Sequence, residues 1–390
     1  MPHGKLNNGI YRALLPVMAP SPRGHMMHDL SGLPLTDLQG YVRLLLRHHV
    51  LGASLLLRDG DRQAAVFTSL TGDAPKASSE KTLFRAASLT KMVTALCILR
   101  LREAGKLDTD APAAAFLPDA EGLLPGVTIR HLLSHTSGLR DLPAQDRALM
   151  RGDTFHAALR ENGCTAAKPG ETFAYCNFGF GLLGCVIETV TGQPVSDAVR
   201  EQVLQPLGMR GTLDGSTLDE KDIMPINRVL TRRRQPDVRV TELGRRPLTA
   251  PDPARHFGHT AGALYTDAAS LSRLLAMLAG RGVLDGERFL PEAAVADMTR
   301  EHAVYGQESP TLSYGLGLLI IRDRRLSEHR LLGHQGFAYG CADGAFLEED
   351  TGRRVVFLNG GCSEARSGRL GVANRDVLRW AMRKEMPAWK

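Results

Sequence analysis

A serine and a lysine three residues apart, Ser88 and Lys91, are the first candidates for chemistry in this chain. A serine hydroxyl is a weak nucleophile until a base removes its proton, and residues three apart on a helix share a face. A neutral Lys91 can be that base, because burial lowers the pKa of a lysine from its usual value of about 10.4. The pair therefore predicts nucleophilic catalysis by Ser88.

The surrounding sequence predicts that this pair begins a buried helix. Apolar residues follow it at helical spacing: Leu89, Met92, Val93, Leu96, Cys97 and Leu101. The start of a helix also offers backbone N–H groups to a developing oxyanion. A second Ser-x-x-Lys, Ser78 and Lys81, lies in a polar run without apolar periodicity and is interpreted as a loop.

Tyr175 and Asn177 form a Tyr-x-Asn directly before a predicted apolar helix, Phe178 to Val190. A phenol there can transfer protons, and an amide can hold a substrate carbonyl. A packed tyrosine beside a turn-forming asparagine is the alternative interpretation.

His334 and Gly336 form a His-x-Gly on a predicted strand. A glycine allows a substrate backbone to lie close to a strand edge, and a histidine can carry a proton. A second His-x-Gly, His256 to Gly258, lies in a proline-rich loop. We favour His334 because its strand is expected to end at a cleft.

Metal binding is not expected. His131 and His135 have the four-residue spacing of a zinc motif, but its glutamate is missing and no third ligand is evident nearby. We interpret both as structural histidines near a helix end. The six cysteines contain no Cys-x-x-Cys and are interpreted as reduced, packed thiols. No cofactor is predicted.

Composition favours an ordinary globular protein of 390 residues, with 43% hydrophobic and 23% charged residues. The net charge of +6 is dispersed, and its densest patch, Arg232 to Arg234, has no aromatic or recognition-helix pattern, so nucleic-acid binding is not expected. No apolar run is long enough for a membrane span. The short stretch ALLPVMAP lacks the features of an export signal, so a cytoplasmic location is expected.

The length predicts two domains, or one core with an inserted lobe. We assign residues 1–35 to an N-terminal extension, 36–104 and 251–390 to a sheet domain, and 105–250 to a mostly helical lobe. The predicted strands are Ala53 to Arg58, Ala64 to Leu70, Gly315 to Arg322, Leu331 to Gly336, Gly340 to Leu347 and Arg353 to Leu358. Helices Thr36 to Val50 and Val372 to Lys384 are expected to flank the sheet.

The three motifs, in this order and separation, resemble the penicillin-recognising serine hydrolases. That family includes class C β-lactamases, D-alanyl-D-alanine carboxypeptidases and related esterases. Further similar segments are HLLSHTSGL at 131–139, AGALYTDAASLSRLL at 261–275 and YGLGL at 314–318. The resemblance covers roughly residues 45 to 385 and is specific because order and context agree.

The resemblance implies a β-lactamase/transpeptidase-like α/β (α+β) fold, an antiparallel sheet flanked by helices with an inserted all-helical lobe. It also implies an acyl-enzyme on Ser88, with Lys91 and Tyr175 transferring protons. The family's substrate-binding positions correspond to Asn177, His334 and Gly336, and its oxyanion hole to the backbone N–H groups of Ser88 and Phe337.

One departure concerns the substrate. Class C β-lactamases and many carboxypeptidases have Lys-Thr-Gly where this chain has His334, Gln335 and Gly336. A permanent cation that would hold a carboxylate is thus replaced by a group that is neutral over much of the physiological range. We therefore expect a small-molecule or short-peptide ester, amide or lactam, with a weaker case for penicillins. An acyltransferase or peptide cyclase, and a binding protein without turnover, are the alternatives.

Overall fold

A computed structural model describes most of the chain, namely residues 14, 23–29, 35–71, 78–160, 167–229, 233–234, 247–306, 309–338 and 340–383. Cys164, Arg232 and the stretch ALLPVMAP lie largely outside these residues, as does Lys384, the predicted end of the last helix.

A nine-stranded antiparallel sheet forms the centre of the fold. Its strands in chain order are β1 Arg23–Asp29, β2 Ala53–Asp59, β3 Arg62–Thr71, β4 Ala303–Val304, β5 Leu312–Tyr314, β6 Leu319–Ile321, β7 Leu331–Ala338, β8 Cys341–Glu348 and β9 Arg354–Asn359. Their order across the sheet is β1, β3, β2, β9, β8, β7, β6, β5 and β4, and each neighbouring pair is antiparallel. The antiparallel sheet expected from the sequence is confirmed.

Two details of the strands differ from the sequence prediction. The strand predicted over Gly315 to Arg322 is confirmed only over Leu319–Ile321, which is β6, because β5 ends at Tyr314 and residues 315–318 form a turn between the two strands. Gly317 has a φ of +73° in this connection, a conformation that reverses the chain and that glycine adopts without strain. In addition, β1 lies within the range assigned to an N-terminal extension and pairs with β3.

Ten α-helices are found in the described part of the chain. They are α1 Leu35–Arg47, α2 Thr90–Glu103, α3 Ile129–Leu133, α4 Pro143–Arg151, α5 Phe155–Arg160, α6 Asn177–Thr191, α7 Val195–Val199, α8 Ala268–Ala279, α9 Glu292–Thr299 and α10 Val372–Ala381. A π-helical turn, Arg200–Leu204, extends α7. The sequence predicts α1, α2, α6 and α10 individually, and α3, α4, α5 and α7 lie in the range expected to be mostly helical, whereas no helix is predicted at α9.

Short elements complete the fold. Phe84–Arg85, Tyr265–Thr266 and Gly211–Thr212 form a small three-stranded sheet, and paired two-residue strands are Val283–Leu284 with Glu287–Arg288, Asn227–Arg228 with Arg233–Arg234, and Arg366–Ser367 with Leu370–Gly371. The 3₁₀ turns are Ala87–Leu89, Ala113–Phe116, Gly215–Thr217 and Glu220–Asp222.

Both faces of the large sheet are covered, and most residues of β2, β7, β8 and β9 are therefore buried whichever face they point to. Leu55 and Leu57 of β2 belong to the core shared with α1 and α10, where the rings of Tyr41 and Trp380 lie 5.5 Å apart. Leu56 points to the opposite face and belongs to the core that contains α2, α6 and α8. Alternate residues of one strand thus join two separate cores.

Helix α2 is enclosed on all sides. Every residue from Thr90 to Leu99 is buried, Lys91 included. A β-carbon added at Gly317 would lie 2.5 Å from the β-carbon of Ala95 and 2.7 Å from the carbonyl oxygen of Lys91. The connection between β5 and β6 therefore packs directly against the helix that carries the predicted base.

Within the residues that the structure describes, no helix has both the length and the apolar character needed to cross a bilayer.

Gly317→Ala is expected to lower the free energy of unfolding by about 3 kcal/mol, because a left-handed φ and the collision with α2 both disfavour the methyl group. The matched control is Gly352→Ala, since Gly352 also has a φ of +73° but no atom within 4 Å of the added methyl group. The control should lose only about 1 kcal/mol. Urea denaturation measures both, and equal losses would contradict the close packing of Gly317 on α2.

Candidate active site

Ser88 lies in the 3₁₀ turn that leads into α2, and this turn is strained. Ala87 has a φ of +46°, in the left-handed region that a residue with a β-carbon rarely occupies. The Ala86 N–H donates to the Leu264 carbonyl at 2.8 Å, and the Thr90 hydroxyl donates to the Ala87 carbonyl at 2.5 Å. These bonds hold the turn so that Ser88 remains partly exposed while its neighbours are buried.

Gly336 supports the same turn from β7. A β-carbon at this position would lie 2.5 Å from the carbonyl oxygen of Ala86 and 3.1 Å from the β-carbon of Ala87. The glycine of the His-x-Gly motif is therefore needed for close approach of the serine turn. Close approach of a substrate, which the sequence predicts at Gly336, is a separate reason for a glycine at this position.

Lys91 is completely buried, and its amine is surrounded by oxygen acceptors. Its Nζ lies 2.8 Å from the Ala261 carbonyl oxygen, 2.8 Å from Asn177 Oδ1 and 3.3 Å from Ser88 Oγ. A protonated amine has three N–H donors, and these three contacts use all of them. The Ser-x-x-Lys spacing thus brings the two side chains together as expected.

The pKa of Lys91 is lowered to about 7 by burial, and the negative charge of Asp141 opposes this shift. At neutral pH a substantial fraction of the amine is therefore uncharged. An uncharged amine has two N–H groups and one lone pair, so it can keep its bonds to Ala261 and Asn177 and accept a proton from Ser88.

Tyr175 lies on the other side of Ser88, and its hydroxyl donates to Ser88 Oγ at 2.9 Å. Burial, assisted by the negative charge of Asp141, raises the pKa of this phenol above its ordinary value. Tyr175 therefore remains a neutral proton donor at physiological pH. Of the two groups that contact Ser88, Lys91 is the one that can accept a proton there.

The Tyr175 segment is held by the loop after α3. The Ala174 N–H donates to the His135 carbonyl at 2.8 Å, and the Cys176 N–H donates to His135 Nδ1 at 3.1 Å. The His135 ring also packs against the Tyr175 ring, with 4.3 Å between their centroids. His135 is thus a structural histidine with a backbone hydrogen bond, as the sequence analysis expected.

Asp141 is a residue of the site that the sequence analysis missed. Its Oδ1 accepts from the Phe178 N–H at 2.9 Å, which caps the first turn of α6, and its Oδ2 accepts from Asn177 Nδ2 at 2.7 Å. Its only sequence signal is its position two residues after the HLLSHTSGL segment. Asp141 fixes the orientation of the Asn177 amide, so that Oδ1 faces Lys91.

His131 has a different role from His135. It forms a capping box with Thr128 at the start of α3, in which the Thr128 N–H donates to His131 Nδ1 at 3.2 Å. Among the described residues, no group of three or more histidine, cysteine or acidic side chains is arranged to hold a metal ion.

His334 is buried in the middle of β7, and the strand continues to Ala338 instead of ending at the histidine. Its Nδ1 lies 2.6 Å from the Gln335 carbonyl oxygen, which can only accept, so Nδ1 carries the hydrogen. Nε2 then accepts from the Tyr314 hydroxyl at 3.0 Å. Burial, together with the charge of Lys91, lowers the pKa of His334 to about 3, so the ring is neutral.

Gln335 and Phe337 of β7 contact the hairpin that follows β9, which is formed by Arg366–Ser367 and Leu370–Gly371. The Gln335 side chain donates to the Arg369 carbonyl at 2.5 Å and accepts from the Gly371 N–H at 2.9 Å. The guanidinium of Arg366 lies 4.1 Å from the centroid of the Phe337 ring. Its charge also acts on Tyr175, so this hairpin places a permanent cation beside the site.

A serine held between a buried lysine and a neutral tyrosine, beside an antiparallel sheet, is typical of hydrolases that form an acyl-enzyme. The Beta-lactamase family model matches residues 34–369, and the chain belongs to that family of serine hydrolases. The fold class and the enzyme class expected from the sequence are thereby confirmed.

Proteins similar to this chain include an esterase, a penicillin-binding protein and an amidohydrolase. The chain is 32% identical to esterase EstB of Burkholderia gladioli, over 78% of this chain and 84% of the esterase. It is 32% identical to penicillin-binding protein 4 of Amycolatopsis lactamdurans, over 66% and 67% of the two chains. A D-stereospecific amidohydrolase from Streptomyces sp. has a similar structure, with a TM-score of 0.66, 25% identity, and coverage of 88% and 97%.

Asp141→Asn is expected to move the acid limb of the pH profile of kcat/KM to lower pH. The carboxylate raises the pKa of Lys91, so its removal lets the amine lose its proton at lower pH. The expected profile of the wild type rises through about pH 7, as Lys91 becomes neutral. Asp350→Asn, at the exposed turn between β8 and β9, is the control and should leave the profile unchanged. If kcat/KM of Asp141→Asn rises at the same pH as in the wild type, or at a higher pH, the assignment of Lys91 as the base is contradicted.

Proposed function

We propose that the chain hydrolyses a small ester or amide through an acyl-enzyme on Ser88, with an ester as the first candidate substrate. The observation that carries this proposal is the position of the buried Lys91 amine. It forms hydrogen bonds with the Ala261 carbonyl oxygen and with Asn177 Oδ1, and its third contact is with Ser88 Oγ. A lone pair held in this direction has the geometry of a general base for the serine.

In the acylation step, neutral Lys91 takes the Ser88 proton while Oγ attacks the substrate carbonyl carbon. The carbonyl π electrons move to oxygen and form a tetrahedral oxyanion. Tyr175 donates its proton to the leaving oxygen or nitrogen as that bond breaks, and Lys91 returns a proton to Tyr175. In deacylation, a water molecule takes the place of the leaving group and attacks the acyl carbonyl carbon. The proton that the water loses is transferred through Tyr175 and Lys91 to Ser88 Oγ as the acyl bond to Ser88 breaks.

The oxyanion is assigned to the backbone N–H groups of Ser88 and Phe337. Support for this assignment comes from Gly336, which lets β7 approach the serine turn closely enough for two backbone donors to converge. Asn177 has its Oδ1 on Lys91 and its Nδ2 on Asp141. Its proposed contact with the substrate is therefore in addition to its role in orienting the base.

The substrate class follows from the charge of His334. A neutral, buried imidazole bonded to Tyr314 cannot supply the permanent cation that Lys-Thr-Gly provides. A substrate that carries no charge near His334 needs no such cation. The name of the 32% identical esterase agrees with an ester, whereas the amidohydrolase and the penicillin-binding protein make an amide and a β-lactam the next donors to test.

The first experiment is intact-protein mass spectrometry after separate incubation with a fluorophosphonate, a short-chain p-nitrophenyl ester and a penicillin. One adduct per chain is expected on Ser88 with the fluorophosphonate, with rapid turnover of the ester and slow or no reaction with the penicillin. Ser88→Ala should lose the adduct. The matched control is Ser78→Ala, which alters the second Ser-x-x-Lys, where Ser78 donates to the Ala53 and Thr68 carbonyls.

A folded wild type that takes no adduct on Ser88 would contradict the proposal and favour a binding protein. Addition of an alcohol during ester turnover tests the transferase alternative. Formation of the new ester in preference to the acid would identify an acyltransferase.

Tyr175→Phe is expected to reduce kcat for the ester by about 10² to 10⁴, because the proton donor for the leaving group is lost. Its control is Tyr305→Phe, since the Tyr305 ring packs in the same aromatic group, 4.2 Å from the Phe173 ring centroid. The control should retain most of the activity. Stopped-flow measurement of the acylation burst separates a defect in acylation from one in deacylation, and equal rates for Tyr175→Phe and the wild type would exclude Tyr175 as the donor.

A further inference from the structure

A second cavity, separate from Ser88, lies between the large sheet and helix α8. Its volume is about 470 Å³, and it is bounded by residues of β2, β3 and β9 on one side and by Ala269, Ser272 and Ala276 of α8 on the other. The small side chains of this part of α8 keep the helix from filling the space. Cavities of this size accommodate small organic ligands.

Two arginines face each other in this cavity. Arg58 of β2 and Arg354 of β9 are directly paired across the antiparallel strands and both line the cavity. Side chains of such a pair lie on the same face, with β-carbons about 4.5–5.5 Å apart, and like charges in this arrangement repel. Burial and the charge of Arg58 lower the pKa of Arg354.

The positive charge of this pair is not neutralised within the described part of the chain, where neither guanidinium forms an ion pair with a carboxylate. Arg354 donates from one terminal nitrogen to the Gly352 carbonyl at 3.3 Å, while its Nε is buried and has no hydrogen-bond partner. The terminal N–H groups of the two guanidiniums are the donors that an anion in the cavity can reach, and a carboxylate acceptor there also offsets the repulsion between the two charges.

The other charges of the cavity do not supply this acceptor. Arg273 donates to Asp285 at 2.6 Å, so these two charges neutralise each other. Glu80 also lines the cavity, but its side chain is exposed, at the boundary with solvent. The Arg58 and Arg354 pair therefore gives the cavity an excess of positive charge.

The remaining wall is apolar. Leu56, Ala65 and Phe67 contribute side chains from the sheet, and Leu284 contributes one from the hairpin that follows α8. An anion that fits this cavity thus has a charged end that meets two guanidinium groups and an uncharged part that contacts aliphatic and aromatic side chains.

We propose that this cavity binds a monocarboxylate with an aliphatic tail, and that Arg58 and Arg354 bind the carboxylate. The lining includes none of the residues assigned to catalysis, so this proposal stands independently of the function proposed for Ser88.

Isothermal titration calorimetry of the full chain with octanoate tests the proposal, with octanamide and acetate as comparison ligands. Octanamide keeps the tail but has no charge, and acetate keeps the charge but has no tail. Octanoate is expected to bind at least about tenfold more tightly than either. Equal binding of octanoate and octanamide, or of octanoate and acetate, would overturn the proposal.

Arg354→Gln tests the location of the site. It is expected to weaken octanoate binding at least about tenfold, whereas Arg324→Gln, an exposed arginine outside the cavity lining, should bind octanoate like the wild type. Unchanged binding by Arg354→Gln would place octanoate elsewhere, for example at Ser88, and would overturn the proposal.

Two further measurements keep the test decisive. Without ligand, Arg354→Gln should have a Tm no lower than that of the wild type, because the repulsion from Arg58 is removed, but octanoate should no longer raise it. If Arg354→Gln does not fold, Arg58→Gln replaces it with the same expectation. Ala276→Phe, which fills the cavity and keeps both charges, should also abolish binding, and retained binding would overturn the proposal.

Discussion

Burial of the Lys91 amine is the constraint on which the rest of the site depends. An amine enclosed by protein must exchange its hydration for fixed acceptors, and the three acceptors here belong to Ser88, Ala261 and Asn177. These residues come from the serine turn, the segment before α8 and the start of α6. Three distant parts of the chain therefore have to converge on one atom, and the cores on both faces of the sheet supply the free energy that holds them there.

Several residues in or beside the segments that resemble family motifs support this convergence through packing and hydrogen bonds. Gly317 and Gly336 have no side chain because α2 and the serine turn lie where a β-carbon would be. His135 and Asp141 hold the segment that carries Tyr175 and Asn177, through backbone and side-chain hydrogen bonds. Small or polar residues at these positions are thus requirements of packing around the reacting groups.

Burial removes water from the titratable groups of the site and has the same effect on each of them. It disfavours the charged form of each, so it lowers the pKa of Lys91 and of His334 and raises that of Tyr175. The pKa of Lys91 is thereby brought to about 7, while Tyr175 stays protonated. Ser88 therefore contacts one proton acceptor and one proton donor. The groups that contact Ser88 are thus largely neutral before reaction, whereas Arg366 remains a cation beside them.

The sequence by itself predicted most of the local elements. It also determined the pairing of Ser88 with Lys91, because helix spacing alone places side chains three residues apart in contact. Strand-like runs bounded by turn residues likewise predicted β2, β3 and β7 to β9. Only the tertiary structure decided which acceptors meet Lys91, that Asp141 orients Asn177, and that Arg58 faces Arg354. Those contacts join residues far apart in the chain, including the backbone carbonyl of Ala261, and no residue type or spacing encodes such a contact before the core has formed.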